Sequence, residues 1–293
     1  MQKKAYLYIL LAAALWGCTG IFLKLLSAGG LTSMQSVALR NAIATLLSFF
    51  WLLRTDPAAL KIRIKDCGYF ICTGIVSVVF FNWCYFNTIQ FSSMSVASVL
   101  LYTSPVFVMI LSALFFRESV TRHKLFALGL TFLGCVLVTG LLPLGSEQIS
   151  SQAILFGLGA GFGYALYTIF GKFALAKYPS STVSFYTFLF ASIGALPLSG
   201  LWHTPEVLFN WQSALGGLGM GIFCCLLPYI FYTDGLSHAE AGKAAILATA
   251  EPFVASLLGV VFFHELLTPF KLLGMAAILL SIILLNRPSK TPA

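Results

Sequence analysis

A segment near the C-terminal end of the sequence repeats a segment that lies 147 residues earlier. Both segments carry a proline inside a long apolar run and end in two phenylalanines, with a glutamate two positions later. The alignment runs without a gap from Tyr85 and Tyr232 to Leu125 and Leu272. Identical residues include the pairs Ala97/Ala244, Pro105/Pro252, Phe115/Phe262, Phe116/Phe263, Glu118/Glu265, Thr121/Thr268 and Lys124/Lys271. A match of this length indicates an internal duplication, so we expect two copies of one structural unit.

The composition places this duplicated chain in a membrane. Its 293 residues are 59% hydrophobic and 9% charged, whereas about 25% of the residues in a soluble domain are charged. The formal net charge is +8, but the basic residues lie in short connectors between apolar runs, as the positive-inside rule predicts. The charge therefore does not indicate nucleic-acid binding. The seven cysteines form no C-x-x-C pair near histidines, so no metal site is expected.

Ten apolar windows have the length expected of membrane spans. The first follows Lys3 and Lys4 as in a signal peptide, but it continues to Leu26, so we expect an uncleaved helix. The windows cover residues 5–26, 33–53, 68–87, 93–116, 124–142, 153–173, 182–202, 211–233, 242–263 and 270–286. The sequence thus predicts an all-α integral membrane protein with ten transmembrane helices, five in each half.

An odd number of helices per repeat reverses the orientation of the second copy. We therefore predict two inverted five-helix repeats, residues 1–146 and 147–293. The first helices of the halves also match, 148 residues apart, with Trp16 over Tyr164 and Lys24 over Lys172. Lysine and arginine concentrate in the even-numbered connectors, which places both termini in the cytoplasm. Inverted repeats that enclose a site near the bilayer midplane are typical of secondary transporters.

Glu251 is the strongest candidate for a functional residue. By the predicted boundaries it lies roughly 15 Å from the end of its helix, near the bilayer midplane. A carboxylate at that depth would bind an amine or carry a proton, or it would be a structural acid hydrogen-bonded to a neighbouring helix. The matching position holds Ser104, so only one repeat supplies the charge. Pro105 and Pro252, in contrast, occur in both repeats and are predicted to be structural or hinge residues.

Other polar and aromatic residues within the windows complete a candidate site. Arg40 would pair with a substrate carboxylate or extend towards the interface, and the aromatic residues would line a cavity or pack in the core. The candidates for substrate binding are Trp16, Thr19, Arg40, Asn82, Tyr85, Ser98, Tyr102, Tyr164, Tyr167, Tyr229 and Glu251. Glu118 and Glu265, at helix ends, are expected to cap helices or to pair with basic groups.

Several motifs together resemble a known family. They are Ala14-Leu15-Trp16-Gly17 in the first helix, Arg40 in the second, Ser-Pro and Glu-Pro in the fourth and ninth, Glu118-Ser119-Val120-Thr121 and Glu265-Leu266-Leu267-Thr268. This set resembles the ten-helix EamA-type branch of the drug/metabolite transporter superfamily. The resemblance implies a central cavity lined mainly by helices 1, 3, 4, 6, 8 and 9. Many such relatives export amino acids, other small metabolites or drugs.

The chain departs from the related proteins whose mechanism is the exchange of a cation for a proton. The related small multidrug resistance proteins carry a glutamate in their first helix. The first helix of this chain contains no acid. Glu251, in a different helix, would have to take the role of that glutamate in cation/proton exchange.

These observations predict a secondary active transporter of the cytoplasmic membrane rather than an enzyme. We expect it to export a small polar or amino-acid-like metabolite by alternating access, as a monomer or homodimer in the lipid bilayer. No cofactor is expected, and a coupling proton is left open. The alternatives are an exporter of drugs or cationic compounds, an intramembrane enzyme that uses Asp234 and Glu251, and a channel.

Overall fold

The computed structural model of the protein describes residues 2–140 and 149–286, and none of these residues lies in a β-strand. They form ten long helices. The helices are α1 (Gln2–Ala28), α2 (Ser33–Thr55), α3 (Ile64–Phe91), α4 (Met94–Phe116), α5 (Arg122–Val138), α6 (Ser151–Leu175), α7 (Ser180–Ser199), α8 (Trp211–Ser237), α9 (Ala241–Phe263) and α10 (Pro269–Asn286). The prediction of an all-α membrane protein is confirmed.

Eight of the described helices are long and apolar enough to cross a membrane, namely α1–α4 and α6–α9. The shorter α5 and α10 contain 17 and 18 residues, or roughly 26 Å of helix at 1.5 Å per residue. They coincide with the predicted windows 124–142 and 270–286, so the count of ten spans stays a prediction. The end of the first of these windows and the predicted boundary between residues 146 and 147 lie outside the described residues.

The helices of the second half repeat the irregularities of the first half at the spacing seen in the sequence. Windows 93–116 and 242–263 contain Pro105 and Pro252, which were predicted to be structural or hinge residues, and α4 and α9 are both interrupted just before these prolines. The segments are Met94–Leu101 and Ser104–Phe116 in α4, and Ala241–Ala248 and Ala250–Phe263 in α9. The buried Pro105 and Pro252 lie in the first turn after each interruption. A proline is tolerated there because its missing N–H would have no helical partner.

Glycines set the distance between the helices that carry the candidate site. A Cβ atom added to Gly17 of α1 would lie 2.8 Å from the Cβ of Val254 in α9, and one added to Gly163 of α6 would lie 2.8 Å from Phe80 of α3. Small residues allow such close approach between membrane helices. Trp16 precedes Gly17, and Glu251 lies one turn before Val254. The contact between α1 and α9 therefore places Trp16 and Glu251 at a similar depth in the interior.

A similar contact joins α5 to α10 and provides a test of the packing. A Cβ atom on Gly134 would lie 2.7 Å from Ile278 and 2.9 Å from the carbonyl oxygen of Gly274, whereas Gly129 of the same helix has open space around it. We expect Gly134→Ala to destabilise the protein by about 1–3 kcal/mol through overpacking. Gly129→Ala, the matched control, should be neutral or stabilising. The fraction of each variant that stays monodisperse after heating in detergent gives its melting temperature. Equal melting temperatures for Gly134→Ala and Gly129→Ala would contradict this packing.

Candidate substrate-binding site

Aromatic side chains from α1, α6 and α8 surround a small interior cavity. The ring centroid of Trp16 lies 6.3 Å from that of Tyr164, 5.5 Å from that of Tyr229 and 5.4 Å from that of Tyr232. The centre of a water molecule can occupy a volume of about 10 Å³ in this cavity, so the cavity holds one water molecule. Its lining consists of Trp16, Ser77, Phe81, Tyr164, Tyr167, Thr168, Tyr229 and Tyr232. The side chains are therefore closely packed in this conformation.

Hydrogen bonds fix some of these rings and leave others free. The hydroxyls of Tyr167 and Thr233 lie 2.6 Å apart, and those of Tyr232 and Thr168 lie 2.7 Å apart. The hydroxyls of Tyr164 and Tyr229 make no hydrogen bond to any residue within 2–140 or 149–286. These two hydroxyls are therefore available to a ligand or a water molecule.

Glu251 is an acid of this interior without a hydrogen bond in the described part of the chain. It lies in the first turn after the interruption of α9 and is half-buried. Within the described part of the chain its carboxylate accepts no hydrogen bond and forms no ion pair within 4.0 Å. The alternative of a structural acid bonded to a neighbouring helix therefore finds no support here. The carboxylate interacts electrostatically with the tyrosines around it, which are Tyr85, Tyr102, Tyr164 and Tyr229.

Arg40 of α2 faces the interior and not the interface. Its Nη2 atom donates a hydrogen bond of 3.3 Å to Oδ1 of Asn82, whose own amide donates to the carbonyl of Val78 at 2.7 Å. The Nε atom of Arg40 is buried and has no partner among the described residues. Arg40 and Glu251 interact electrostatically, and Tyr229 interacts with both. A cation and a carboxylate, each incompletely partnered, therefore face the same interior.

The remaining candidates lie at two edges of this region. The hydroxyls of Tyr85 and Ser98 lie 3.1 Å apart and join α3 to α4 near Glu251. Tyr102 lies at the interruption of α4. Thr19 lies at the end of a break in α1, beside the thiol of Cys224, and does not line the aromatic cavity.

Four residues that line the cavity were not among the sequence candidates. They are Ser77, Phe81, Thr168 and Tyr232. Tyr232 aligns with the candidate Tyr85 in the internal repeat and belongs to the aromatic residues of the windows, which were expected to line a cavity or to pack in the core. The other three lie in helices that are apolar on all sides, where periodicity does not distinguish one face from another.

Comparison with known proteins decides the family. The sequence profile of the EamA-like transporter family matches residues 3–140 and, a second time, residues 151–287. The chain belongs to the EamA-like transporter family. The resemblance inferred from the sequence motifs is therefore confirmed, and this EamA-like protein is a multi-pass membrane transporter.

Three similar proteins align with most of this chain. An uncharacterized transporter of Archaeoglobus fulgidus is 29% identical over 280 residues, which cover 94% of each chain. The uncharacterized transporter YwfM of Bacillus subtilis is 26% identical and covers 96% of this chain and 93% of its own. The threonine/homoserine exporter RhtA of Escherichia coli K12 is 30% identical over 250 residues, or 83% of this chain and 78% of its own.

A solved crystal structure has the same fold as this EamA-like chain. It superposes with a TM-score of 0.80 over 98% of this chain and 97% of its own, at 17% sequence identity. This similarity supports the arrangement of the helices and carries no information about the cargo.

Proposed function

We propose that this EamA-like protein is a secondary active transporter that exports a small amino-acid-like metabolite by alternating access. The observation that carries the proposal is the pair of interior charges. Among the described residues, Glu251 has no hydrogen bond and no ion pair within 4.0 Å, and the Nε atom of Arg40 has no hydrogen-bond partner. A buried charge is costly unless it is paired and hydrogen-bonded. A zwitterion supplies the missing partner to both, with its ammonium on Glu251 and its carboxylate on Arg40.

The surroundings of the two charges suit such a cargo. The hydroxyls of Tyr164 and Tyr229 are free to bind polar groups, and Trp16 would exclude water from the bound molecule. In the absence of cargo, Glu251 would take up a proton and so remove its own unpaired charge. Competition between a proton and an ammonium for one carboxylate would couple the two movements.

The transport direction and the membrane orientation are parts of the same proposal. Export is supported by RhtA, the relative that is named a threonine/homoserine exporter. The basic connectors support a cytoplasmic location for both termini. The repeated interruptions of α4 and α9 support two inverted repeats that move against each other around a site near the midplane. The cytoplasmic membrane is the proposed location.

An exporter of cationic compounds is the second candidate. The aromatic rings around Trp16, 5.4 to 6.3 Å away, resemble the walls of a site that binds an organic cation. Arg40 argues against this candidate, because it would repel a cation that brings no carboxylate.

The enzyme alternative has less support. Asp234 lies in the last turn of α8 and accepts a hydrogen bond from Ser180 at 3.4 Å. Glu251 interacts electrostatically with Arg40, and no such interaction joins it to Asp234 among the described residues. The two acids therefore do not form a pair in the part of the chain that the structure describes.

Competition in proteoliposomes tests the proposed cargo. We expect counterflow of a neutral amino acid such as threonine, with unlabelled threonine as an effective competitor. Isopropanolamine, which lacks the carboxylate of threonine, and β-hydroxybutyrate, which lacks its amine, should each compete at least about tenfold less well, since each loses one charged contact of at least ~1.4 kcal/mol.

Two results of that experiment would contradict the proposal. One is the absence of counterflow for every neutral amino acid. The other is stronger competition by a lipophilic cation such as tetraphenylphosphonium than by threonine, which would favour the cation exporter.

A further inference from the structure

Glu118, at the end of α4, joins the two halves of the protein. Its carboxylate accepts hydrogen bonds from the backbone N–H groups of Ala241 at 2.7 Å and Gly242 at 3.1 Å, at the start of α9. It also accepts a hydrogen bond of 2.7 Å from Nζ of Lys172 in α6. Glu240, the residue that precedes α9, does not cap that helix with its own side chain. Glu118 therefore caps α9 from the opposite half.

A second ion pair crosses between the halves beside the first. Lys124 of α5 contacts Glu240 and also donates to the carbonyl of Ser119 at 2.8 Å. Lys172 donates to the carbonyl of Ala239 at 3.0 Å, so both lysines fix the segment that leads into α9. We call Glu118, Lys172 and the N–H groups of Ala241 and Gly242 the latch.

The contacts of Glu118 favour the charged form of its carboxyl group. Burial raises the pKa of the Glu118 carboxyl. The hydrogen bonds from Lys172 and from the N–H groups of Ala241 and Gly242 lower this pKa by more than burial raises it, so the pKa is below its usual value. Because charge-assisted hydrogen bonds are about twice as strong as neutral ones, the latch holds the start of α9 firmly against the end of α4.

The internal repeat places an equivalent set of groups at the other end of the molecule. Glu265 corresponds to Glu118, Lys24 to Lys172, and Met94 and Ser95 to Ala241 and Gly242. The backbones agree closely, since the residue before each glutamate is left-handed, Arg117 at φ 55° and His264 at φ 53°.

The contacts of the equivalent groups are different. Glu265 pairs with Lys271 of its own half at 2.7 Å and lies against Gly259, and Lys24 lies 3.7 Å from the ring centroid of Phe263. The side chain of Glu118 is 9% exposed, whereas that of Glu265 is 49% exposed. One end is latched across the halves and the other is not.

We propose that the latch holds one end of the transporter closed, and that Glu265, Lys24 and the N–H groups of Met94 and Ser95 form its counterpart when the opposite end closes. This inference rests on the proposed alternating access. In the proposed orientation the closed end is cytoplasmic, so the protein exposes its site to the cytoplasm only after Glu118 releases α9. Glu265 then leaves Lys271 and caps α4, whose start is held here by Ser93.

Hydrogen exchange of the full-length protein in lipid nanodiscs tests the latch. We expect Glu118→Gln to raise exchange about tenfold across residues 239–246, which equals about 1.4 kcal/mol, and to lower exchange across the equivalent residues 92–99. The decrease at the far end is the result that a purely local loss of hydrogen bonds would not produce.

Glu265→Gln is the matched control, because it changes the same residue type in the same motif of the other repeat. It should raise exchange across 92–99 and should not raise it across 239–246. Should Glu118→Gln fail to fold, Lys172→Met and its counterpart Lys24→Met make the same comparison. A change confined to 239–246, or changes of equal sign in both repeats, would overturn the latch.

Transport assays on the same preparations separate this inference from the proposed cargo. Opposite changes of hydrogen exchange at residues 239–246 and 92–99, without amino-acid counterflow, would support the latch and would contradict the proposed cargo. Amino-acid counterflow without opposite changes of hydrogen exchange at these two segments would contradict the latch alone.

Discussion

Glu251→Gln lowers counterflow of the amino-acid substrate by at least about 30-fold, because removing one member of a buried charge pair costs about 2–5 kcal/mol. Glutamine has the size of glutamate but carries no charge, so it would leave the ammonium of the substrate unpaired. The same substitution removes the group that would carry the coupling proton, and the residual flux should lose its dependence on pH. Initial rates in proteoliposomes at two pH values measure both effects.

Glu206→Gln provides the control for this substitution. Glu206 lies in the exposed connector between α7 and α8, so its replacement removes one carboxylate outside the interior and should keep the wild-type rate. A monodisperse elution profile shows that each variant is folded. If Glu251→Gln transports at the wild-type rate with unchanged pH dependence, Glu251 has no central role.

Much of the helical architecture could be predicted because hydropathy and repetition are properties of the sequence itself. All ten predicted windows coincide with helices in the described part of the chain. The interruptions of α4 and α9 were indicated by the prolines and not by hydropathy, because a hydropathy window does not register a local change of the backbone. Pro105 and Pro252 were the available signal, since the residues before a proline are biased away from helical geometry.

The candidate site was accessible from the sequence only where the two repeats differ. Glu251 stood out because its counterpart is Ser104. The hydrogen bond between Arg40 and Asn82 joins residues 42 positions apart in different helices, and nothing in the repeat indicates it. Glu118 and Glu265 were expected to cap helices or pair with basic groups, and their contacts confirm this. Their different partners are visible only in the packed structure.

Arg40→Gln changes which molecules the protein selects. In the wild type the guanidinium would hold the substrate carboxylate and repel an amine that has none. Glutamine does neither, so we expect transport of the amino acid to fall about tenfold or more and transport of the corresponding amine to rise, each tenfold step being ~1.4 kcal/mol. Arg40→Lys is the control, since it keeps the charge and should retain part of the preference for the amino acid.

The ratio of the two rates is the most direct test of a site that binds both ends of a zwitterion. It requires initial rates for the best amino-acid substrate and for the amine formed by removing its carboxylate, in wild-type protein and in Arg40→Gln. We expect the ratio of amino-acid transport to amine transport to fall at least about tenfold in the variant. An unchanged ratio would show that Arg40 does not bind the cargo, and would contradict the proposed site.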